Sequence, residues 1–237
     1  MTGLHTYTEI QTRRRPRRNG VVPLLAALVL LVLTSSVATA VDGGRPIGSG
    51  FSCDRPVNPP RCLSVGDDIR HYVYIDPSVP SDLADSVRQA MADAYGPTTL
   101  VLREESKVRF RTDVIVYAAD YGENGAAGWT FCPADAPQGV NARGHRWCRH
   151  QELHFNLNPQ YAAFFADDAS RDSIACHEFG HTLGLRHWGN PPDSEGPVGA
   201  TCMNADAPDG PGDLHEADRW YINEYYLAPR VRRGLTF

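Results

Sequence analysis

Past residue 33 the 237-residue chain has no apolar run long enough to cross a membrane, and past residue 40 it has no strongly basic tract. A bilayer span needs about 20 apolar residues, so the body of the chain is not a membrane domain. Without a basic surface, nucleic acid is not an expected partner. Methionine is scarce, at three residues, and neither an internal repeat nor a second domain can be traced. What the first 40 residues hold accounts for much of this. Five arginines fall in residues 11 to 20, residues 21 to 33 are almost wholly apolar, and Ala38, Thr39 and Ala40 form a small-residue cleavage site. That is the three-part order of a signal peptide, so residues 1–40 are read as one and the mature chain as secreted and extracellular. The alternative is an uncleaved anchor, although the apolar run is short and Pro23 interrupts it. Cleavage would leave 18 basic and 27 acidic residues, a net charge of −9. It would also leave no segment able to hold a membrane.

Residues 177 to 187 read HEFGHTLGLRH. On a helix of 3.6 residues per turn, His177 and His181 lie one turn apart on one face, where both imidazoles can reach a single ion. Glu178 can meet a water on that ion and act as a general base, giving a nucleophile at neutral pH. Gly184 can take φ > 0 and end the helix, turning the chain back so that His187 completes a three-histidine shell with one position open. A chain of this composition carries HExxH by chance about once in 80, and with Gly184 and His187 added about 4 times in 100,000, so coincidence does not explain the motif.

All six cysteines, Cys53, Cys62, Cys132, Cys148, Cys176 and Cys202, lie in the exported part, where disulfides form. Six cysteines admit 15 pairings. Proximity favours Cys53 with Cys62 and Cys132 with Cys148, which leaves Cys176 with Cys202. That last bridge would tie the helix of the motif to Met203. Cys176 as a zinc ligand is the alternative, but it sits about 100° round the helix from His177.

HExxHxxGxxH with a downstream methionine resembles the metzincins, a family of zinc endopeptidases. Met203, in the segment TCMN, is the candidate for the methionine that the family places beneath its metal as a hydrophobic floor. Met1 is the initiator, and Met91 fits the apolar face of a helix. Within the family the closest similarity is to the matrixins, in HEFGHTLGL and in ELHFN (residues 152–156), which resembles their last strand before the zinc helix. The residue after His187 is Trp188, not the serine usual in matrixins. The spacing to Met203, with Cys202 before it, is similar to the adamalysins, and no tyrosine follows Met203 closely as in astacins and serralysins. The chain is read as matrixin-like, with its subfamily open.

Coarse patterning agrees. Residues 69 to 75 (IRHYVYI) alternate as a strand, and Ser81 to Tyr95 places Leu83, Val87, Ala90, Met91 and Ala94 on one helical stripe. Thr98 to Leu102, Asp113 to Tyr117 and Glu152 to Leu157 read as strands, and the Gly-rich run from Tyr121 to Gly128 as a loop. A helix runs from Ala169 to Gly184, followed by 28 irregular residues. A last helix begins near Asp213, which can cap it with Glu216 three residues on, and Leu214, Ala217, Tyr221 and Tyr225 line one side. The order resembles the metzincin catalytic domain over roughly residues 65 to 230. The expected fold class is α+β: a mixed twisted sheet, two main helices and a small irregular C-terminal half ending in a helix. Residues 41–68 form a short extension of open purpose, and 69–237 the catalytic domain.

The resemblance implies a secreted endopeptidase in which zinc-activated water attacks a peptide bond with Glu178 as general base. It implies a monomer with a protein or peptide substrate lying along a sheet edge. That edge falls within Ala126 to Phe131, so Gly128, Trp129 and Thr130 are candidate substrate contacts; an ordinary loop closed by Cys132 is the alternative. Matrixins hold a structural zinc with a histidine at the place of His154, and His145 and His150 lie near it. The pattern that completes that site is absent, and Asn156 stands where an acidic residue would help bind calcium, so a second zinc or a calcium is not expected. His71 and His215 read as surface or packing residues. Two other functions keep the same residues in view: a zinc amidase acting on cell-wall peptides, and a catalytically silent secreted binding module.

Overall fold

A computed structural model describes residues 64–141, 145–187, 201–204 and 211–233. The proposed signal peptide, most of the extension after it, Cys53, Cys62 and Trp188 lie outside the described residues. The fold is α+β. Period-2 patterning builds its sheet from β1 (Arg70–Ile75), β2 (Val101–Glu105), β3 (Val114–Ala119), β4 (Gly128–Phe131) and β7 (Gln151–Asn156), in the order β2-β1-β3-β7-β4. The first three strands and β7 pair in parallel, and β4 runs antiparallel to β7 at one edge, so the sheet is mixed. Val73, Val114, Val116, Leu153 and Phe155 turn to one face and are buried. Helices α1 (Ser81–Gln89) and α2 (Asp168–Thr182) cover that face and pack on each other. The opposite face carries half-buried Tyr72, Tyr117 and His154.

Several boundaries differ from expectation. The helix predicted over Ser81 to Tyr95 is α-helical only to Gln89; Ala90–Ala94 is a π-helical turn, closed by Tyr95 N–H donating to Ala90 O at 3.1 Å. The predicted stripe is nonetheless buried throughout. The strand expected over Thr98 to Leu102 lies at Val101–Glu105. Thr98 and Thr99 are taken instead by Tyr95 O and the Asn223 side chain. A short hairpin-like pair, β5 (Gln138–Val140) with β6 (Arg146–Cys148), was not foreseen. Cys132 is bonded to Cys148 there, and Cys176 to Cys202 beside α2.

The C-terminal helix α3 spans Glu216–Arg233, three residues later than Asp213 predicts. Asp213 is not its cap. His215 Nδ1 accepts from Ala217 N–H at 3.1 Å, and the buried Asp218 carboxylate accepts from His215 N–H at 3.2 Å, so the reciprocal capping pattern is made by His215 and Asp218. The buried side of α3 carries Asp218, Ile222, Tyr225 and Tyr226; Ala217 and Tyr221 are only partly covered. No helix among the described residues is long and apolar enough to cross a membrane.

Candidate metal centre

The N-terminus of α2 is fixed by Asp167, whose side chain accepts from Ser170 N–H at 2.8 Å. Its C-terminus is a Schellman turn: Leu185 N–H donates to Gly180 O at 3.1 Å, Gly184 N–H donates to His181 O at 3.1 Å, and Gly184 takes φ +86°. A residue with a Cβ is strained at that φ, which is why glycine stands there. The turn does two things at once. It sends the chain back so that His187 reaches the helix, and it brings Leu185 O to 2.8 Å from His181 Nδ1.

Three imidazoles converge there. Nε2 of His187 lies 2.9 Å from Nε2 of His177 and 3.0 Å from that of His181, and the latter two are 3.2 Å apart. His177 and His181 are buried in α2, while His187 is exposed. Among the described residues these three are the one group of at least three His, Cys, Asp or Glu whose ligand atoms converge closely enough for a metal.

The donor set fits a zinc ion. Nδ1 of His177 faces Cys202 O at 2.6 Å and Nδ1 of His181 faces Leu185 O. A carbonyl can only accept, so both Nδ1 atoms carry the proton and both Nε2 atoms present bare lone pairs to each other. Burial, with His187 close by, pushes the His177 imidazole down to about 3, leaving it neutral near pH 7. Facing lone pairs at this separation repel unless an electron-pair acceptor lies between them. Nitrogens bound tetrahedrally to zinc stand about 3.3 Å apart, close to the spacing here. The carbonyl partners of Nδ1 are the usual outer support of such ligands.

Glu178 follows His177 on α2 and is buried. Its carboxyl lies against β4, where a Cβ on Gly128 would stand 2.7 Å from Oε1. Thr130 Oγ1 donates to Glu178 O at 3.2 Å. Of the three candidate edge residues, Gly128 and Thr130 therefore face α2. Trp129 turns to the other face, stacked on His154 with ring centroids 5.0 Å apart and touching Tyr121.

Met203 is fully buried in the 201–204 turn, and its sulfur lies against Gly180, the residue before His181: a Cβ at 180 would be 2.3 Å from Sδ. The turn is held by Met203 N–H donating to Thr201 Oγ1 at 3.1 Å, and by Thr201 Oγ1 donating to Asp218 at 2.6 Å. Tyr95, which sequence patterning did not single out, meets the same place. Its hydroxyl donates to Cys176 O at 2.7 Å and lies 4.0 Å from Met203 Sδ. Burial holds that hydroxyl well above the usual phenol range, so it stays a donor. The i+4 spacing from Met91 carried the signal for its burial, though not for its contacts.

Among the described residues the other histidines do not gather. His145 stacks on Tyr225, His150 Nε2 meets Arg109 O at 3.1 Å, and His154 sits between Glu152 and Tyr121 at 2.9 and 2.8 Å. His71 is fully buried under Gly66 and edge-on to Tyr226.

No protein-family model matches the chain, nor does any curated protein sequence. Among the solved structures that match is a crystal structure of myroilysin, at 11% identity and a TM-score of 0.45, covering 69% of this chain and 86% of that one. At that identity and score the likeness carries nothing about the site, whose chemistry rests on its own geometry.

Proposed function

We propose that the chain is a secreted, matrixin-like zinc endopeptidase, with residues 1–40 as its signal peptide and a monomeric mature chain. The observation that carries this is the convergence of three imidazole Nε2 atoms, two of them locked as acceptors, beside a buried glutamate at a sheet edge. His177, His181 and His187 would hold the zinc. Bound there, zinc supplies Lewis acidity, which lowers the pKa of a water to about 7 and polarises a carbonyl. Glu178 takes the proton of the attacking water and delivers it to the leaving amine, and its burial against β4 keeps the carboxyl oriented for both transfers. The edge strand β4 offers its backbone to an extended peptide. Met203 packs beneath the ligands without coordinating.

Elemental analysis of the mature chain should find one zinc, and a casein digest should stop when a chelator removes it. Glu178→Gln should keep the zinc and lose about 10²–10⁴-fold in turnover. Full activity in that variant sinks the mechanism. Cleavage of peptidoglycan but not of casein or peptides would shift the substrate to a cell-wall amide.

A further inference from the structure

The loop that feeds the edge strand is ordered by a side chain from outside it. Residues 120–127 connect β3 to β4, and Gly122 (φ +71°) and Gly125 (φ +81°) give the loop two left-handed positions. Asn156, the fully buried last residue of β7, holds it from within. Its Nδ2 donates to Gly122 O at 2.9 Å, to Asn124 Oδ1 at 3.1 Å and to Ala126 O at 3.2 Å. Its Oδ1 accepts from the N–H groups of Tyr121 at 3.0 Å and Asn158 at 3.2 Å. Its own N–H donates to Ala127 O at 2.7 Å.

Two amide hydrogens thus serve three oxygens. Oxygens converging on one centre of positive charge is the arrangement that hard cations take in proteins. Here the charge is the partial positive charge of an NH2 group, covalently attached to the sheet. Gly128 follows directly, paired with Phe155 next to Asn156, and its bare backbone is what the Glu178 carboxyl lies against. The side chain that sets the loop therefore sets where the edge comes alongside the general base.

We propose that Asn156 is a positioning residue of the substrate edge: its side-chain NH2 takes the place of a bound cation at the centre of the 121–127 loop and fixes β4 against Glu178. The kinetic consequence rests on the peptidase reading; the consequence for stability rests on the loop alone.

Asn156→Asp turns the NH2 into a fourth oxygen, which makes the cluster repulsive when empty and suited to calcium, whereas Asn156→Ala removes the centre altogether. Full-length mature protein is melted at fixed zinc, with and without millimolar calcium chloride. Both variants should melt below the parent. Calcium should raise the melting temperature of Asn156→Asp by about 3 °C more than that of Asn156→Ala or the parent. Equal shifts in all three overturn the cation analogy. Below the melting range, with one zinc per chain retained, KM for a peptide long enough to pair along β4 should rise about tenfold in both variants with kcat nearly unchanged, and calcium should restore it only in Asn156→Asp. A KM within twofold of the parent in both overturns the positioning role. If neither variant folds, Asn124→Ala, which removes one of the three oxygens, carries the same kinetic test with a several-fold rise expected. A parent that cleaves nothing defeats the peptidase reading, and the melting comparison still decides the role of Asn156.

Discussion

His177 donates from Nδ1 to the carbonyl oxygen of Cys202 across 2.6 Å, and Cys202 is bonded through sulfur to Cys176, the residue before His177. The first histidine of the cluster and the 201–204 turn are thus joined twice, once covalently and once through the imidazole. Opening the covalent link should loosen the hydrogen bond. A Cys176→Ala, Cys202→Ala double variant should lose about 10–100-fold in zinc affinity by chelator competition, the usual size of a lost outer partner. Closing a loop of 26 residues is worth about 3 kcal/mol, so denaturant unfolding should show a drop of that order. Unchanged zinc affinity would mean the turn holds its shape without the bridge.

Gly128→Val separates the proposed base, Glu178, from the fold. The valine Cβ would fall within 2.7 Å of the Glu178 carboxyl, which can swing away, while valine suits a strand better than glycine does. The expected result is a loss of about tenfold or more in kcat with the melting temperature and zinc content kept. Wild-type turnover would show that the carboxyl has room to spare.

At position 180 propensity and packing oppose each other. Alanine is about 1 kcal/mol better than glycine inside a helix, yet its Cβ would meet Met203 Sδ at 2.3 Å and the Tyr95 hydroxyl at 2.6 Å. Overpacking of a buried site costs about 1–3 kcal/mol, so Gly180→Ala should be destabilising on balance and lower the melting temperature by a few degrees. A rise would show that Met203 and Tyr95 move aside freely.

His71 makes stability depend on acid pH. Burial pushes its imidazole down to about 4, against the pull of Asp67 and Asp68, from 6.5 in the unfolded chain. The unfolded form therefore takes up the proton first. The contribution of His71 is complete above pH 6.5 and is lost as pH falls toward 4, by about 3 kcal/mol in all. Asp113 runs the other way: burial lifts its carboxyl to about 7, so its stabilising proton is lost as pH rises through that value. Comparing His71→Leu with the parent at each pH cancels the groups they share. Urea unfolding should show the difference moving about 3 kcal/mol in favour of the variant between pH 7.5 and pH 4. A constant difference would mean that the fold leaves the imidazole of His71 with the proton affinity it has in the unfolded chain.

The sheet and α2 could be read from the chain because local chemistry decides them. Val114, Val116 and Ala118 alternate inward, and Gly184 ends α2 by a backbone preference written in one residue. Where a distant partner decides, local patterning fails. β2 starts three residues later than the predicted strand because Thr99 is claimed by Asn223, 124 residues away. The start of α3 escapes because a histidine accepts where serine or aspartate is expected, and because Asp218 is held in place by Thr201 of the methionine turn. The glycines of 121–128 announce a loop but not its order, since the order comes from Asn156. In the candidate metal centre the spacing of His177 and His181 was legible as a helix face. The carbonyls that fix the imidazoles were not, since Cys202 O arrives by a tertiary turn.

The π-helical turn at Ala90–Ala94 leaves α1 with one residue more than regular helical winding would use over the same rise. Deleting one residue in that turn would rewind it as plain α-helix over nearly the same rise and angle, so Tyr95 would keep its place against Cys176 O and Met203. A deletion in the regular turns of Ser81–Gln89 instead shifts part of the buried stripe by about 100°. The π-helical turn is thus the place where this helix can lose a residue without losing phase, and its tolerance to deletion should be highest where its winding looks least regular.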